Sequence, residues 1–255
     1  IEPYRLFKRT ALPVCIYWFM ASALFFLHTF RWEDLVPLAF ILSISQLFRS
    51  FESNSPATPI FHTFFFISLG SLAFPQFLYL VPLFWISMIP FRSISGKSLV
   101  ASILGILTPY WFLFGYAFYS NELTLFWTPL EEAIHFYPIH YGALTLPEIL
   151  SWGVITLLLV VSGVHYVAVS YLDKTRTRIF HSFLTIAGLW ITICMALQPV
   201  HLHILMPIQL ICTAFLSGHL FTLTRNRFSG ILFIVTFVVF ILLMSFNLWM
   251  QFFNS

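Results

Sequence analysis

The apolar residues of this chain come in long runs, and these runs decide what the chain can fold into. Each run extends over roughly 16 to 24 residues, the length that an α-helix needs to cross about 30 Å of hydrocarbon. The strands of membrane barrels alternate apolar and polar residues, and these runs do not. Charged residues are 8% of the chain, whereas a soluble domain carries about 25%. We therefore predict an all-α, polytopic integral membrane protein.

The runs predict about nine transmembrane helices in a single membrane domain over residues 1–255. The third and fourth spans are short and flank Pro75, which is typical of a helical hairpin. The predicted spans cover residues 11–30, 35–50, 60–74, 76–91, 98–119, 148–171, 180–197, 203–223 and 230–250.

The basic residues predict how these spans are oriented. Nine spans place eleven of the twelve Lys and Arg residues on one side of the membrane, and only Arg31 on the other. An excess of Lys and Arg marks the cytoplasmic side. We expect a cytoplasmic N-terminus, an outer C-terminus and, as location, the bacterial inner membrane. The eleven residues are Arg5, Lys8, Arg9, Arg49, Arg92, Lys97, Lys174, Arg176, Arg178, Arg225 and Arg227.

The longest polar interruption covers residues 120–147 and is predicted to be an extracytoplasmic loop. Within it, Thr128, Pro129 and Glu131 are typical of a helix start with a capping box. They predict a short interfacial helix over about 129–137. On such a helix Glu131 and His135 share a face, because they are four residues apart, and could act as acid and base or contribute two of the ligands of a metal ion. The alternative is that Glu131 caps the helix and His135 pairs with it at the surface.

Other polar residues are predicted on the same side of the membrane and could line one pocket that opens outward. An Arg beside acids and histidines could hold a phosphate while a carboxylate acts as base. We therefore predict Glu131, His135, Arg31 and Asp34 as catalytic residues, and His140, His201, His203 and Glu132 as substrate-binding residues. Unrelated interfacial polar residues are the alternative. The spacing of Cys, His, Asp and Glu predicts no metal site, and the sequence identifies no cofactor.

The span interiors contain no clear Asp, Glu, Lys or Arg. Ion-coupled transporters usually keep such groups at membrane depth. His165 and His219 lie deeper than the other histidines, but neither has a charged partner in its own span. This pattern disfavours a transporter.

Residues 40–120 resemble a family of uncharacterised multipass membrane proteins from Bacteroidota. The segments that carry the resemblance are LFRSFESN at 47–54, ISLGSLAFPQFLYLVPLFWISM at 67–88 and PFRSISGKSLVASILGILTPYWFLFGY at 90–116. In layout, the chain is also similar to polyprenyl-phosphate-dependent glycosyltransferases, which usually place acids in an early outer loop. Glu33 and Asp34 lie in such a loop here, but the chain lacks a large outer domain.

These observations predict a protein that acts at the outer face on a lipid-linked substrate of the polyprenyl-phosphate glycan type. A non-catalytic subunit or scaffold of an envelope complex is the first alternative, and a transporter is the second. The expected partners are membrane lipids, the lipid-linked glycan and partner membrane proteins, and no nucleic acid.

Overall fold

The computed structural model describes residues 11–24, 31–223 and 227–253. Within these residues the chain forms ten α-helices and five 3₁₀-helices, so the all-α prediction is confirmed. The α-helices are α1 Ala11–Ser22, α2 Leu35–Arg49, α3 Ala57–Ala73, α4 Val81–Ser87, α5 Gly96–Tyr119, α6 Thr124–Ile134, α7 Leu146–Val169, α8 Thr175–Leu197, α9 Leu202–Leu223 and α10 Arg227–Phe253. The 3₁₀-helices are Trp32–Asp34, Pro75–Leu80, Tyr141–Ala143, Ser170–Leu172 and Pro199–His201.

Five helices are long and apolar enough to cross a membrane, so the chain is a multipass membrane protein by helix length and composition. They cover Gly96–Tyr119, Leu146–Val169, Thr175–Leu197, Pro199–Thr222 and Gly230–Met250. The apolar helices Leu12–Ser22, Ala57–Ala73 and Pro75–Ser87 are shorter. The number of nine spans is therefore not confirmed.

The predicted fourth span shows why the number differs. Its residues form the 3₁₀-helix Pro75–Leu80 followed by the seven-residue helix α4, instead of one continuous helix. Pro75 and Pro82 lie at the starts of these two pieces, where the missing N–H group of proline is tolerated. Part of the first predicted span, residues 25–30, and the basic residues Arg5, Lys8, Arg9 and Arg225 lie outside the described residues.

The chain divides into two compact units. Unit 1 comprises residues 1–30 and 138–255, and unit 2 comprises residues 31–137. The single membrane domain predicted from the sequence stays a prediction.

In unit 2, α3 packs against both α2 and α5. The rings of Phe40 and Phe64 both meet Phe84 edge to face, with ring centroids 6.4 Å apart, and all three side chains are fully buried. The hydroxyl of Ser68 on α3 donates a 2.6 Å hydrogen bond to the carbonyl of Ile106 on α5. Aromatic packing and polar cross-links together hold this unit.

Gly105 allows α5 to approach α3 closely. A Cβ atom at this position would lie 2.5 Å from the backbone carbonyl oxygen of Phe61 and 3.1 Å from the Cβ of Phe64. Small residues at such contacts are typical of membrane helices, where close backbone approach replaces the hydrophobic driving force.

Unit 1 is built around α9, most of which is buried. This helix packs against α1, α7, α8 and α10. A Cβ atom on Gly188 of α8 would meet Leu159 of α7 at 2.7 Å and Cys212 of α9 at 3.3 Å, so three helices converge here. Asn247 of α10 donates 2.8 Å and 3.3 Å hydrogen bonds to the Ala23 carbonyl and the Ser151 hydroxyl.

We expect Gly105→Ala to destabilise the protein by about 1–3 kcal/mol, because the added methyl group must displace backbone atoms of α3. Gly115→Ala is the matched control on the same helix, since nothing lies within 4 Å of the added atom. Alanine there should be neutral or slightly stabilising. Thermal unfolding of both variants in one detergent measures the difference. Equal midpoints would contradict the close α3–α5 contact.

Candidate functional site

Two of the predicted catalytic residues, Arg31 and Asp34, lie at the start of unit 2. The Asp34 carboxylate accepts a 2.6 Å hydrogen bond from the backbone N–H of Arg31. This bond closes the turn that opens the 3₁₀-helix Trp32–Asp34. The carboxylate thus already has a local structural role, and its catalytic role stays a prediction.

A short helix is present in this stretch as α6, but it begins five residues earlier than predicted, at Thr124, and its interfacial position stays a prediction. The predicted capping by Thr128 is wrong, because Thr128 lies inside the helix and its hydroxyl donates a 2.8 Å hydrogen bond to the Thr124 carbonyl. The helix ends at Ile134, and His135 takes up an extended conformation. The four-residue spacing therefore no longer fixes His135 on the face of Glu131.

The His135 ring packs edge to face on Tyr137, with centroids 4.8 Å apart. Within the described part of the chain, the side chains of Glu131 and His135 form neither a hydrogen bond nor an ion pair. The end of α6 is held through its backbone. Gln76 donates to the Glu132 carbonyl at 3.1 Å, and Tyr79 donates to the Ala133 carbonyl at 2.8 Å. The roles predicted for Glu131, Glu132 and His135 stay predictions.

In unit 1, the predicted binding residue His203 meets a carboxylate that the sequence analysis did not select. Nε2 of His203, on α9, lies 3.2 Å from Oε1 of Glu148, on α7. The other oxygen of Glu148 accepts a 2.8 Å hydrogen bond from the Thr145 backbone N–H. Thr145 and Glu148 have the spacing of a capping box, which fixes the carboxylate at the first turn of α7.

Buried polar groups lie close in sequence to both members of this pair. Gln198 is 3% exposed, and both polar atoms of its amide are buried without a partner among the described residues. The buried indole N–H of Trp152, one turn beyond Glu148, likewise lacks a described partner. Buried polar groups in proteins are normally hydrogen-bonded, and an exception needs an explanation such as a ligand or water.

Together with His201, which is half-buried in the 3₁₀-helix Pro199–His201, these residues form what we name the Glu148 cluster. Its members are Glu148, Trp152, Gln198, His201 and His203. The start of α7, the end of α8 and the start of α9 carry them. Nearby, Tyr141 donates a 2.6 Å hydrogen bond to the Ala196 carbonyl near the end of α8. His140 is exposed, with Nδ1 3.4 Å from the Pro138 carbonyl oxygen.

A second polar cluster lies at the opposite ends of α7 and α9. Nε2 of His219 is 2.8 Å from Oδ2 of Asp173, and these side chains are 3% and 10% exposed. The His181 ring centroid lies 4.3 Å from that of His219. Tyr166 contacts both rings and donates a 2.6 Å hydrogen bond to the Arg178 carbonyl. We name Tyr166, Asp173, His181 and His219 the Asp173 cluster.

The Asp173 cluster shows why the sequence analysis found no charged partner for His219. The partner comes from the connection between α7 and α8, outside the span of His219. An acid in a connection that otherwise contains basic residues was the available signal. The His219 imidazole and the Asp173 carboxylate are both buried. A transporter is therefore less disfavoured than the span interiors alone indicated.

A polar cross-link occupies the middle of unit 1. The amide nitrogen of Gln209 on α9 donates to the hydroxyl of Thr156 on α7 at 3.0 Å and to that of Thr192 on α8 at 2.9 Å. Gln209 is fully buried. This residue therefore ties three helices together at one point.

No group of three or more His, Cys, Asp or Glu residues that could hold a metal ion occurs in the described part of the chain. No protein-family model, curated protein or solved structure matches the chain.

We expect Thr192→Val to lower the free energy of unfolding by about 0.6–1.7 kcal/mol, the range for a hydrogen bond between membrane helices. Thr236→Val is the matched control, because the Thr236 hydroxyl bonds only the Leu232 carbonyl of its own helix. Unfolding in mixed micelles measures both variants. A loss for Thr192→Val no larger than that for the control would contradict the Gln209 cross-link.

Proposed function

We propose that the chain is a multipass protein of the bacterial inner membrane that acts at the outer face on a lipid-linked substrate of the polyprenyl-phosphate glycan type. The supporting observation is the pair of Glu148 and His203, 3.2 Å apart, together with the unpartnered buried amide of Gln198, which precedes His203 in the chain. The predicted topology places this end of unit 1 on the outer side. The resemblance to multipass proteins of Bacteroidota is part of the same proposal.

The Glu148 cluster offers the groups that sugar transfer requires. The imidazole of His203 is 34% exposed and the Glu148 carboxylate 12% exposed, so the imidazole is the member of the pair that a substrate reaches more easily. An acceptor hydroxyl attacks the anomeric carbon of the donor, and the bond from that carbon to the phosphate oxygen breaks. The phosphate keeps the electron pair, and the hydroxyl proton passes to His203. Glu148 stabilises the resulting imidazolium through their contact.

Gln198 and Trp152 would bind the polar head of the substrate. The amide of Gln198 can both donate and accept hydrogen bonds, and the indole N–H of Trp152 donates one. Sugar hydroxyls and phosphate oxygens match these groups. His201 would lie beside the same head group.

The surroundings of the cluster favour a substrate with a lipid anchor. Glu148 lies in one candidate membrane span, and Gln198 directly follows another. The outward faces of these two spans are apolar, with exposed side chains such as Leu157, Val164 and Ile193. An isoprenoid chain could lie along such a surface while its head group enters the Glu148 cluster.

The proposal transfers the acid–base role from Glu131 and His135 to Glu148 and His203. The first pair is exposed and forms no mutual side-chain hydrogen bond or ion pair among the described residues, whereas the second pair lies 3.2 Å apart. The roles predicted for Arg31, Asp34 and His140 stay predictions.

We expect native mass spectrometry of the gently extracted protein to detect a bound polyprenyl phosphate or glycolipid. A protein partner in fixed ratio, without lipid, would favour the scaffold alternative and contradict the enzymatic proposal. A monomer with neither would also contradict it, and would direct attention to transport.

With the co-purified lipid as donor, His203→Ala and Glu148→Gln should lower turnover by about 100-fold or more, the usual contribution of general acid–base catalysis. Lipid binding and protein abundance should persist, because Gln198 and Trp152 are retained. Glu122→Gln is the control, since that exposed carboxylate lies outside the Glu148 cluster. Unchanged turnover in both variants would refute the assignment. A loss in Glu131→Gln instead would restore the pair predicted from the sequence.

A further inference from the structure

The charge balance of the Asp173 cluster points to a function that the Glu148 cluster does not provide. The Asp173 carboxylate is 10% exposed and its partner His219 is 3% exposed, so both groups are largely withdrawn from water. An isolated charge is costly to bury, and an opposite charge in contact offsets part of that cost. With a neutral imidazole the pair carries a net charge of −1. With an imidazolium the net charge is zero.

The second ring nitrogen of His219 is the atom at which such a proton would be gained. Nε2 faces Asp173, and Nδ1 is buried with no hydrogen-bond partner in the described part of the chain. In the neutral ring that donates Nε2–H to the carboxylate, Nδ1 is an acceptor without a donor. Protonation turns Nδ1 into a donor and places a positive charge beside the carboxylate.

Several ionisable groups face this site from the neighbouring elements. Helix α7 contributes Tyr166, whose ring centroid lies 5.7 Å from that of His219, and His165 within electrostatic range. Helix α8 contributes His181, and the backbone carbonyl of Arg178 near its start accepts the hydrogen bond of Tyr166. Residues 11–22 of α1 and 230–250 of α10 contain no Asp, Glu, Lys, Arg or His. Asp173 is thus the one acidic side chain described beside His219.

We propose that Asp173 and His219 form a proton-binding site, and that unit 1 takes up a proton there from the aqueous phase that bathes the α7–α8 connection. That phase is the cytoplasm in the predicted topology. Asp173 follows the 3₁₀-helix Ser170–Leu172, and its neighbours Tyr171 and Lys174 are exposed. The proton therefore has a short route from solvent to the pair. Uptake converts a buried anion into a buried ion pair and so links the state of unit 1 to pH.

The site can be observed directly in the wild-type protein. The chain contains two aspartates, Asp34 and Asp173. In protein labelled with ¹³C in Asp and ¹⁵N in His, a dipolar coupling between carboxylate carbon and ring nitrogen identifies His219 through its 2.8 Å contact. Asp34→Asn removes the other aspartate and checks the assignment. The sample is the full chain in lipid nanodiscs, measured by solid-state NMR between pH 5 and pH 8.

We expect the coupled His219 signals to change from a neutral ring to an imidazolium within this pH range. A ring that stays in one protonation state throughout would overturn the proposal and leave the pair as a fixed structural link.

Replacing the carboxylate tests the role of Asp173. In Asp173→Asn the imidazolium loses its counter-charge, so the transition should move to lower pH by about one unit or more. An unchanged midpoint would overturn the role of Asp173. If that variant does not fold, Asp173→Glu keeps the charge and should retain the titration, and loss of the titration there would contradict the proposal. Lipid turnover at the Glu148 cluster is a separate readout, so the two proposals can fail independently.

Discussion

In hydrocarbon, a polar group that finds no partner inside the protein finds none at all. The helices of this chain satisfy their own backbone, and their serine and threonine hydroxyls mostly do the same by donating to a carbonyl one turn earlier, as Thr213 does to Gln209. Polar side chains that find no hydrogen-bond partner within their own helix determine which segments pack against each other. Ser68, Gln209 and Asn247 each reach a different segment of the chain and act as cross-links.

The same constraint separates structural polar residues from candidate functional ones. The amide nitrogens of Gln209 and Asn247 have partners on neighbouring segments, so packing explains these nitrogens, although both amide oxygens are buried without a described partner. Gln198 and Nδ1 of His219 are buried without such partners among the described residues. Burial of an unpaired polar atom costs about 1–3 kcal/mol, which selection removes unless the atom has a use. A bound head group at Gln198 and a bound proton at His219 are the uses that we propose.

The elements that follow from local sequence were predictable, and those that depend on distant contacts were not. The apolar runs of α5 and α7–α10 locate these helices to within a few residues. Thr128 and Thr145 begin the same T-x-x-E pattern, yet only the second marks a helix start. Thr128 does not begin a helix, because α6 has already begun at Thr124. Local pattern cannot distinguish the two cases, since the difference lies in the residues upstream.

The candidate sites show the same limit. His203 could be selected from its place between two spans, but its partner Glu148 lies 55 positions earlier, and Asp173 lies 46 positions before His219. Each pair forms only when α7, α8 and α9 pack together. An acid beside a span end is a weak signal alone, because most such acids are solvated. Glu148 and Asp173 are informative because each contacts the imidazole of a histidine on α9.

Helix α9 carries one histidine of each pair, and the distance between them bears on how the two proposals relate. His203 and His219 are sixteen residues apart, or about 24 Å along an α-helix. Between them lie the Gln209 cross-link and the contact of Leu159, Gly188 and Cys212, where apolar side chains from three helices meet. No described chain of hydrogen bonds joins the two histidines. In the predicted topology, proton exchange at His219 and acid–base chemistry at His203 would draw on opposite aqueous phases. Coupling between them would require α9 to move against α7 and α8.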